Sequence, residues 1–321
     1  MSTPFNDLEN LAKIPFYQGL SRVSVAQEET SQFHAMLHQM RWLVPKFAVR
    51  IGDQRGKVWL NKNITLYQNE TAELATILGD GVYTLNTGYE WCCTALVRQD
   101  ENGTPVMHRV LDWSPFMAPY MHVAEYQTRH GSYQDINWAG SSGMINGIAP
   151  GRFVIAINQA PIPMHCGIGP IGGIPDWFIQ RRKTFASTDW PATHLLRHVF
   201  ETAPDYATAC EMLIHLPLAI PVIFTICGTR PGEMMVIERM ETEAYTVLPK
   251  AVCTANHWQN PAWRGHARPI KSFARLTAAK IITILCLRDN PKIFWIDDAE
   301  VVGDRVAVLL PVFWYFFAQE G

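Results

Sequence analysis

The chain has 321 residues, of which 48% are hydrophobic and 17% are charged, and its formal net charge is −2. This composition supplies material for a large apolar core, in one large α/β domain or in about two smaller ones. It offers no dense run of Lys and Arg, so we expect no nucleic-acid partner.

Neither the cysteines nor the first residues indicate a metal site or an export signal. Seven cysteines are scattered without a CxxC pair, which argues against a zinc ribbon and against a disulfide framework. We expect no metal and no other cofactor. The first residues are acidic and lack an apolar signal segment, and the apolar block at 306–318 is too short to span a bilayer. The expectation is a soluble cytoplasmic protein without a membrane span.

The first part of the chain, residues 1–92, predicts helices rather than strands. Helical spacing of apolar residues occurs at 30–37, 70–78 and 82–89, and Gly79 is a typical residue just past a helix end. The last of these helices leads directly into Cys92 and Cys93.

After Cys93 the pattern predicts strands, joined as hairpins by recognisable turn sequences. Asn102-Gly103 is the strongest of these because this pair fits a tight hairpin turn. Pro150-Gly151 and residues 230–232 mark two more turns. The predicted strands are 94–98 with 105–111, 143–148 with 152–158, and 222–227 with 234–239, followed by 244–248.

Between the second and third hairpins the sequence predicts two amphipathic helices, at 192–201 and 205–216, and a further helix at 269–287. Residues 113–126 are predicted as a loop rich in Met and aromatic residues, which either lines an acyl-chain groove or packs in the core. Strands, then helices, then strands fit a layered α/β domain with antiparallel sheets.

Cys93 is the candidate nucleophile. It is followed by Thr94 and apolar strand residues, and the returning strand carries Arg109 and Asp112, 16 and 19 positions further on. A thiol has a pKa of about 8.5 and an α-amine one of about 7.7–8, so an adjacent α-amine can take the thiol proton near neutral pH. The cysteine pair alone favours two buried thiols at a strand start, and it is the match of the downstream residues that favours a nucleophile.

This arrangement resembles the start of the catalytic chain of an N-terminal nucleophile (Ntn) hydrolase, in the acid ceramidase and N-acylethanolamine acid amidase group of the choloylglycine hydrolase-like superfamily. The resemblance covers roughly residues 70–268. It implies an α+β fold, a four-layer αββα sandwich of antiparallel sheets. It also implies autocleavage before Cys93, which separates a helical segment 1–92 from a catalytic domain 93–321. Cys93 matches the order Cys-Thr-apolar, whereas Cys92 would insert an extra residue.

The resemblance further implies roles for three other side chains. Asp112 would hold the α-amine, and Arg109 would hold charge near the thiolate and lower the thiol pKa. Asn256 would donate to an oxyanion, because a neutral amide stabilises developing charge without a proton shift. Ala255 stands where the family has Thr directly before this Asn. From the residues alone, Arg109 with Asp112 reads as a surface ion pair, and Asn256 as a strand-corner residue.

Three more residues match the family less closely. Asn158-Gln159 resembles an Asn-Glu pair, and the Gln keeps an amide donor while losing any acid role. Arg268 matches an Arg that follows the late Asn.

The implied activity is hydrolysis of a non-peptide linear amide with an apolar N-acyl group, through a Cys93 acyl-enzyme, with the two fragments remaining associated. Two alternatives stay open. The same acyl-enzyme could pass its acyl group to an amine or alcohol, which would make the protein an acyltransferase. A relative that has lost catalysis could instead keep the fold and bind a lipid-like ligand.

Overall fold

The computed structural model describes residues 14–41, 43–88, 92–111, 117–167, 172–248, 252–266, 272–273 and 276–277, and the backbone of 306–309. The N-terminal part is mostly helical, as predicted. Its helix α4 ends at Gly79, which has a φ of 80° that favours glycine. The elements are β1 (Phe16–Gln18), α1 (Arg22–Glu28), α2 (Thr30–Met40), α3 (Lys46–Leu60), α4 (Gln68–Leu78) and α5 (Val82–Thr87).

The remaining elements are mainly strands, with three helices grouped between them. All six strands of the three predicted hairpins are present. They are β2 (Cys93–Gln99), β3 (Pro105–Leu111), β4 (Met121–Thr128), β5 (Gly131–Trp138), β6 (Asn146–Ala149), β7 (Phe153–Gln159), β8 (Ile162–Pro163), α6 (Gly173–Ala186), α7 (Ala192–Thr202), α8 (Tyr206–His215), β9 (Val222–Cys227), β10 (Met234–Arg239), β11 (Ala244–Val247), β12 (Val252–Thr254), β13 (Gly265–His266) and β14 (Val306–Leu309).

The strands form two main sheets. The larger has the order β1-β4-β5-β6-β7-β9-β10-β11, and the smaller has the order β12-β2-β3-β14. Neighbouring strands are antiparallel except for β1 beside β4 and β14 beside β3. The N-terminal segment therefore contributes an edge strand to the larger sheet as well as its helices.

Side-chain alternation along β9 shows how the layers stack. Ile223 and Cys227 belong to an apolar cluster with Val97 of β2 and Met107 of β3, so this face of the larger sheet meets the smaller sheet. The intervening Phe224 and Ile226 belong to the other large cluster, together with Leu195, Leu196 and Leu213 of helices α7 and α8.

The outer face of the smaller sheet is covered by helical residues 276–277, where Leu276 packs with Leu96 and Cys253. The order of layers is helix, sheet, sheet, helix, which is the predicted αββα sandwich of the α+β class. Within the described residues, no helix combines the length and apolarity needed to cross a bilayer.

Two sequence predictions about this region are wrong. The predicted loop at 113–126 gives way to a strand from Met121, which pairs with β5 from Met121↔Trp138 to Thr128↔Gly131. Its two-residue turn is Arg129-His130, a pair without a turn signature. The connection between the second and third hairpins also contains a third helix, α6, beside the two predicted ones. The predicted helix at 269–287 lies largely outside the described residues.

Candidate active site

Cys93 is the first residue of β2 and is fully buried. It pairs with Leu111 of β3, so the hairpin predicted from Asn102-Gly103 brings the returning strand beside it. Residues 93, 95 and 97 share one face of β2 by alternation, and Val97 packs against the larger sheet. The Cys93 side chain is therefore directed between the two sheets, at the end of the strand where the interior begins. Cys92, immediately before it, is also buried.

Asn256 holds the backbone nitrogen of Cys93. Strand β12 pairs Thr254 with Ala95, which places Asn256 just beyond the strand end and beside the start of β2. The Cys93 N–H donates to Asn256 Oδ1 at 2.8 Å, and Asn256 Nδ2 donates to the Gln159 carbonyl oxygen at 2.8 Å. Both ends of the Asn256 amide are thus engaged. One of them is engaged with the nitrogen of the Cys92–Cys93 peptide bond.

Asn158 approaches Cys93 from the larger sheet. It lies on the face of β7 that meets the smaller sheet, and its Nδ2 is 3.4 Å from the Cys93 carbonyl oxygen and 3.1 Å from Thr254 Oγ1. It also donates to the Ala255 carbonyl oxygen at 3.0 Å. This single amide therefore ties together β7, the start of β2 and the end of β12.

Arg109 is buried and pairs with Ala95. Ala95 lies two residues after Cys93, so Arg109 and Cys93 share one face of the hairpin. Its guanidinium donates to Asn158 Oδ1 and to the Ile157 carbonyl oxygen. The resemblance implied an Arg near the thiolate. The hydrogen bonds described here lead instead to β7, where the guanidinium fixes the orientation of the Asn158 amide.

The other predicted positions are only partly in this cluster. Gln159 contributes its carbonyl oxygen to Asn256, and its buried side-chain Nε2 has no hydrogen-bond partner among the described residues. Asp112 and Arg268 lie outside the described residues. The structure thus brings together Cys93, Arg109, Asn158, Gln159 and Asn256.

Two threonines in the cluster were not singled out from the sequence. Thr254 Oγ1 accepts from Asn158 Nδ2 and lies 2.9 Å from Thr225 Oγ1 on β9. Both hydroxyls are buried between the sheets, where an unpaired hydroxyl would be costly. Thr254 could have been found from its place two residues before Asn256, whereas nothing in the sequence near Thr225 indicates this contact.

A histidine–serine pair lies elsewhere, in a buried network that joins the N-terminal helices to the sheets. His194 on α7 has Nε2 at 2.9 Å from Ser142 Oγ and Nδ1 at 3.0 Å from Thr65 Oγ1. Burial, followed by the positive charges of Arg197 and Arg22, lowers the pKa of His194 to about 3. A fully enclosed, neutral imidazole in such a network has a structural role.

We expect His194 to make the protein less stable as the solution is acidified. The folded state keeps this ring neutral, while the unfolded chain binds a proton below a pKa of about 6.5, so falling pH favours unfolding from 6.5 down to about 3. The contribution approaches about 1.4 kcal/mol per pH unit within that window. Urea unfolding of the uncleaved chain from pH 7 to 4 should show a shallower loss for His194→Gln than for the wild type. Parallel curves would contradict this assignment.

The fold and this cluster define an αββα sandwich with a buried cysteine that begins a strand between its two sheets. Curated relatives confirm the predicted resemblance to the acid ceramidase group. The chain is 24% identical to acid ceramidase of Heterocephalus glaber over 255 residues, which cover 70% of this chain and 62% of the relative. It is 22% identical to that of Bos taurus over 236 residues, covering 65% and 58%. For Homo sapiens the identity is 24% over 184 residues, covering 52% and 44%.

The chain spans about three fifths of the length of the first two of these relatives. No family model matches it. Among solved structures it is similar to the Caenorhabditis elegans ortholog of N-acylethanolamine-hydrolyzing acid amidase, with a TM-score of 0.42 and 18% identity, covering 52% of this chain and 71% of that one. It is also similar to a mutant conjugated bile acid hydrolase from Clostridium perfringens, with a TM-score of 0.39 and 8% identity, covering 64% and 76%.

Proposed function

We propose that this protein is an autoprocessing cysteine amidase that hydrolyses a non-peptide linear amide with an apolar N-acyl group. The observation that carries the proposal is the contact between the Cys93 nitrogen and Asn256, at a buried strand start between two sheets. A buried backbone N–H needs an acceptor in any protein, and here a side chain 163 positions away supplies it. The same contact suits a nitrogen that is first the leaving group of a cleavage and then a catalytic amine.

In the proposed cleavage, Cys93 Sγ attacks the Cys92 carbonyl carbon. The peptide C–N bond breaks, a thioester forms, and the nitrogen takes the thiol proton and becomes the α-amine. Water then hydrolyses the thioester, releasing a C-terminal carboxylate on Cys92 and restoring the thiol. Asn256 Oδ1 holds the leaving nitrogen throughout, which keeps it next to the sulfur.

In the proposed turnover, the freed α-amine takes the thiol proton and the thiolate attacks the substrate amide carbon. The amine product leaves with that proton, and water resolves the acyl-enzyme to a carboxylic acid. The oxyanion would be held by Asn256 and a backbone N–H, and the α-amine by Asp112. Arg109 supports the cluster through Asn158, and Arg268 remains a proposed member.

The substrate class follows from the relatives, whose name is acid ceramidase. It does not rest on the methionines of the predicted loop at 113–126, one of the two interpretations of which was an acyl-chain groove. Met117 and Met121 are buried in the main apolar cluster, which also contains Cys93. Trp113 and Phe116 lie outside the described residues.

The contacts between residues 14–88 and the rest of the chain support continued association after cleavage. Three pairs of ionisable side chains cross this boundary: Arg22 with Asp135 and Glu29 with His122, which are buried, and Arg197 with Glu70, which is partly buried. The His194 network and a shared apolar core cross it as well. Each fragment alone would leave these charges and apolar surfaces unpartnered.

We expect Asp135→Asn to weaken this association strongly. The Arg22 and Asp135 side chains are 4% and 0% exposed, so the substitution leaves a guanidinium buried without its carboxylate. The expected loss is about 3–5 kcal/mol in the free energy of unfolding. The matched control is Asp80→Asn, which breaks the Arg50–Asp80 pair whose side chains are 70% and 66% exposed, with an expected loss of about 0–1 kcal/mol. Equal losses in urea unfolding would contradict the role of the buried pair.

The experiment that tests the proposed function combines intact mass with turnover. The purified full chain should convert to two co-eluting fragments, with N-terminal sequencing of the second beginning at Cys93. The processed protein should then release free acid from N-acyl amides. With an added amine or alcohol acceptor, the product should remain the free acid. A chain that stays whole and yet is active would contradict the mechanism, and a chain that neither cleaves nor turns over any N-acyl amide would contradict the function.

A further inference from the structure

We infer that Ser272 is a positioning residue for this reaction, because its hydroxyl holds the backbone of Asn256 where the side chain meets the Cys93 nitrogen. The inference rests on the proposed function, in which Asn256 holds that nitrogen. Ser272 lies outside the strand pairs that form the site. It belongs to the described helical residues that cover the smaller sheet.

The hydrogen bonds define what this hydroxyl does. The Asn256 N–H donates to Ser272 Oγ at 2.8 Å, and Ser272 Oγ lies 2.9 Å from His257 Nδ1. A serine hydroxyl has one proton to donate and two lone pairs that accept, so Ser272 Oγ accepts from the Asn256 N–H and still has a proton or a second lone pair for His257 Nδ1. All three residues are buried.

Packing on both sides keeps the hydroxyl in this position. One turn further on, Leu276 packs with Leu96, Cys253 and Ala255 against the smaller sheet. On the other side, the neighbouring Phe273 ring stacks on the His257 ring with centroids 4.1 Å apart. The helical residues are thus anchored to the smaller sheet and to the loop after β12.

This contact matters because Asn256 lies two residues beyond Thr254, the last residue of β12 that pairs with β2. Strand pairing therefore does not fix its backbone. The side chain must meet Cys93 N and the Gln159 carbonyl oxygen at once, both at 2.8 Å. A small rotation of the Asn256 backbone would break both bonds, and the Ser272 hydroxyl opposes that rotation.

The test compares the full-length wild type with two variants. Ser272→Ala removes the hydroxyl, and Ser272→Thr retains it. Rates of autocleavage are followed by intact mass, and kcat and KM of the processed protein are measured with one N-acyl amide. We expect Ser272→Ala to slow cleavage and lower kcat by about tenfold, the usual scale for one lost buried hydrogen bond, with KM little changed. Ser272→Thr should recover most of both rates.

A matched control is Ser187→Ala. The Ser187 hydroxyl also accepts from a backbone N–H, that of Asp189 at 3.1 Å, but it lies on the connection between α6 and α7 and shares no partner with the cluster. This variant should cleave and turn over at wild-type rates. Thermal unfolding of all variants shows whether a rate loss follows stability alone.

Wild-type cleavage by Ser272→Ala would overturn the inference while leaving the proposed function intact. So would a Thr variant as slow as the Ala variant at equal thermal stability. If Ser272→Ala yields no folded protein, Ser272→Cys replaces the hydroxyl with a weak acceptor of similar size. It should be slower than Ser272→Thr, and equal rates would overturn the inference. A wild type that neither cleaves nor acts would instead refute the proposed function itself.

Discussion

Cys93→Ala should abolish both autocleavage and turnover, because the same sulfur performs both steps in the proposed mechanism. The chain should remain a single species by intact mass over days, and no free acid should form from an N-acyl amide. Cys92→Ala is the matched control. It changes the neighbouring buried cysteine, whose side chain becomes part of the C-terminal residue of the leading fragment, and it should cleave and turn over normally.

The comparison of these two variants also tests the register. If Cys92→Ala were inactive and Cys93→Ala active, the nucleophile would have to move one residue back. The nitrogen that Asn256 holds belongs to Cys93, so that outcome would also contradict the proposed role of Asn256 in holding the catalytic amine. Both variants should unfold at a similar urea concentration, which separates a chemical defect from a folding defect.

Asn256→Ala should lower kcat by about 10²–10³, the usual loss for one oxyanion donor. It also removes the acceptor for the Cys93 N–H, so autocleavage should become slower without disappearing, since the nucleophile and the scissile bond remain. Time courses of intact mass give the cleavage rate, and single-substrate kinetics on the processed fraction give kcat.

Asn256→Asp separates the two halves of this amide. The aspartate keeps an oxygen opposite the Cys93 N–H and loses the Nδ2 donor that meets the Gln159 carbonyl oxygen. Its cleavage should exceed that of Asn256→Ala, while its kcat should remain as low. Asn61→Ala, at an exposed asparagine after α3, serves as the control. Wild-type kinetics in both Asn256 variants would remove this residue from the mechanism.

The part of the site built from local structure could be predicted from the sequence. The Asn102-Gly103 turn defines the β2–β3 hairpin. Because side chains alternate along a strand, Arg109, which pairs with Ala95, lies on the same face of the hairpin as Cys93. Strands β9 and β10 were predicted with their observed bounds because apolar runs flank a clear turn. Each of these features depends on residues less than about 20 positions apart.

The β4–β5 hairpin and helix α6 could not be predicted in the same way. The turn at Arg129-His130 has no Asn-Gly or Pro-Gly pair, and the strand before it follows two prolines that indicate a loop. Helix α6 begins within the Gly- and Pro-rich stretch 167–175, a composition that indicates a loop from the sequence. In each case packing against the rest of the chain outweighed the local preference.

What the sequence determined by itself was the class of fold and the candidate nucleophile, since a Cys-Thr strand start and a hairpin turn are local signals. The tertiary structure alone decided which groups surround that cysteine. Asn256 is 163 positions from Cys93 and Asn158 is 65 positions away, and only the pairing of β12 with β2 and the stacking of the two sheets bring them together. Ser272 joins them through a side-chain contact from another layer. The family resemblance names Asn256 and Asn158 as candidates, but the contacts themselves depend on strand register and layer packing rather than on spacing along the chain.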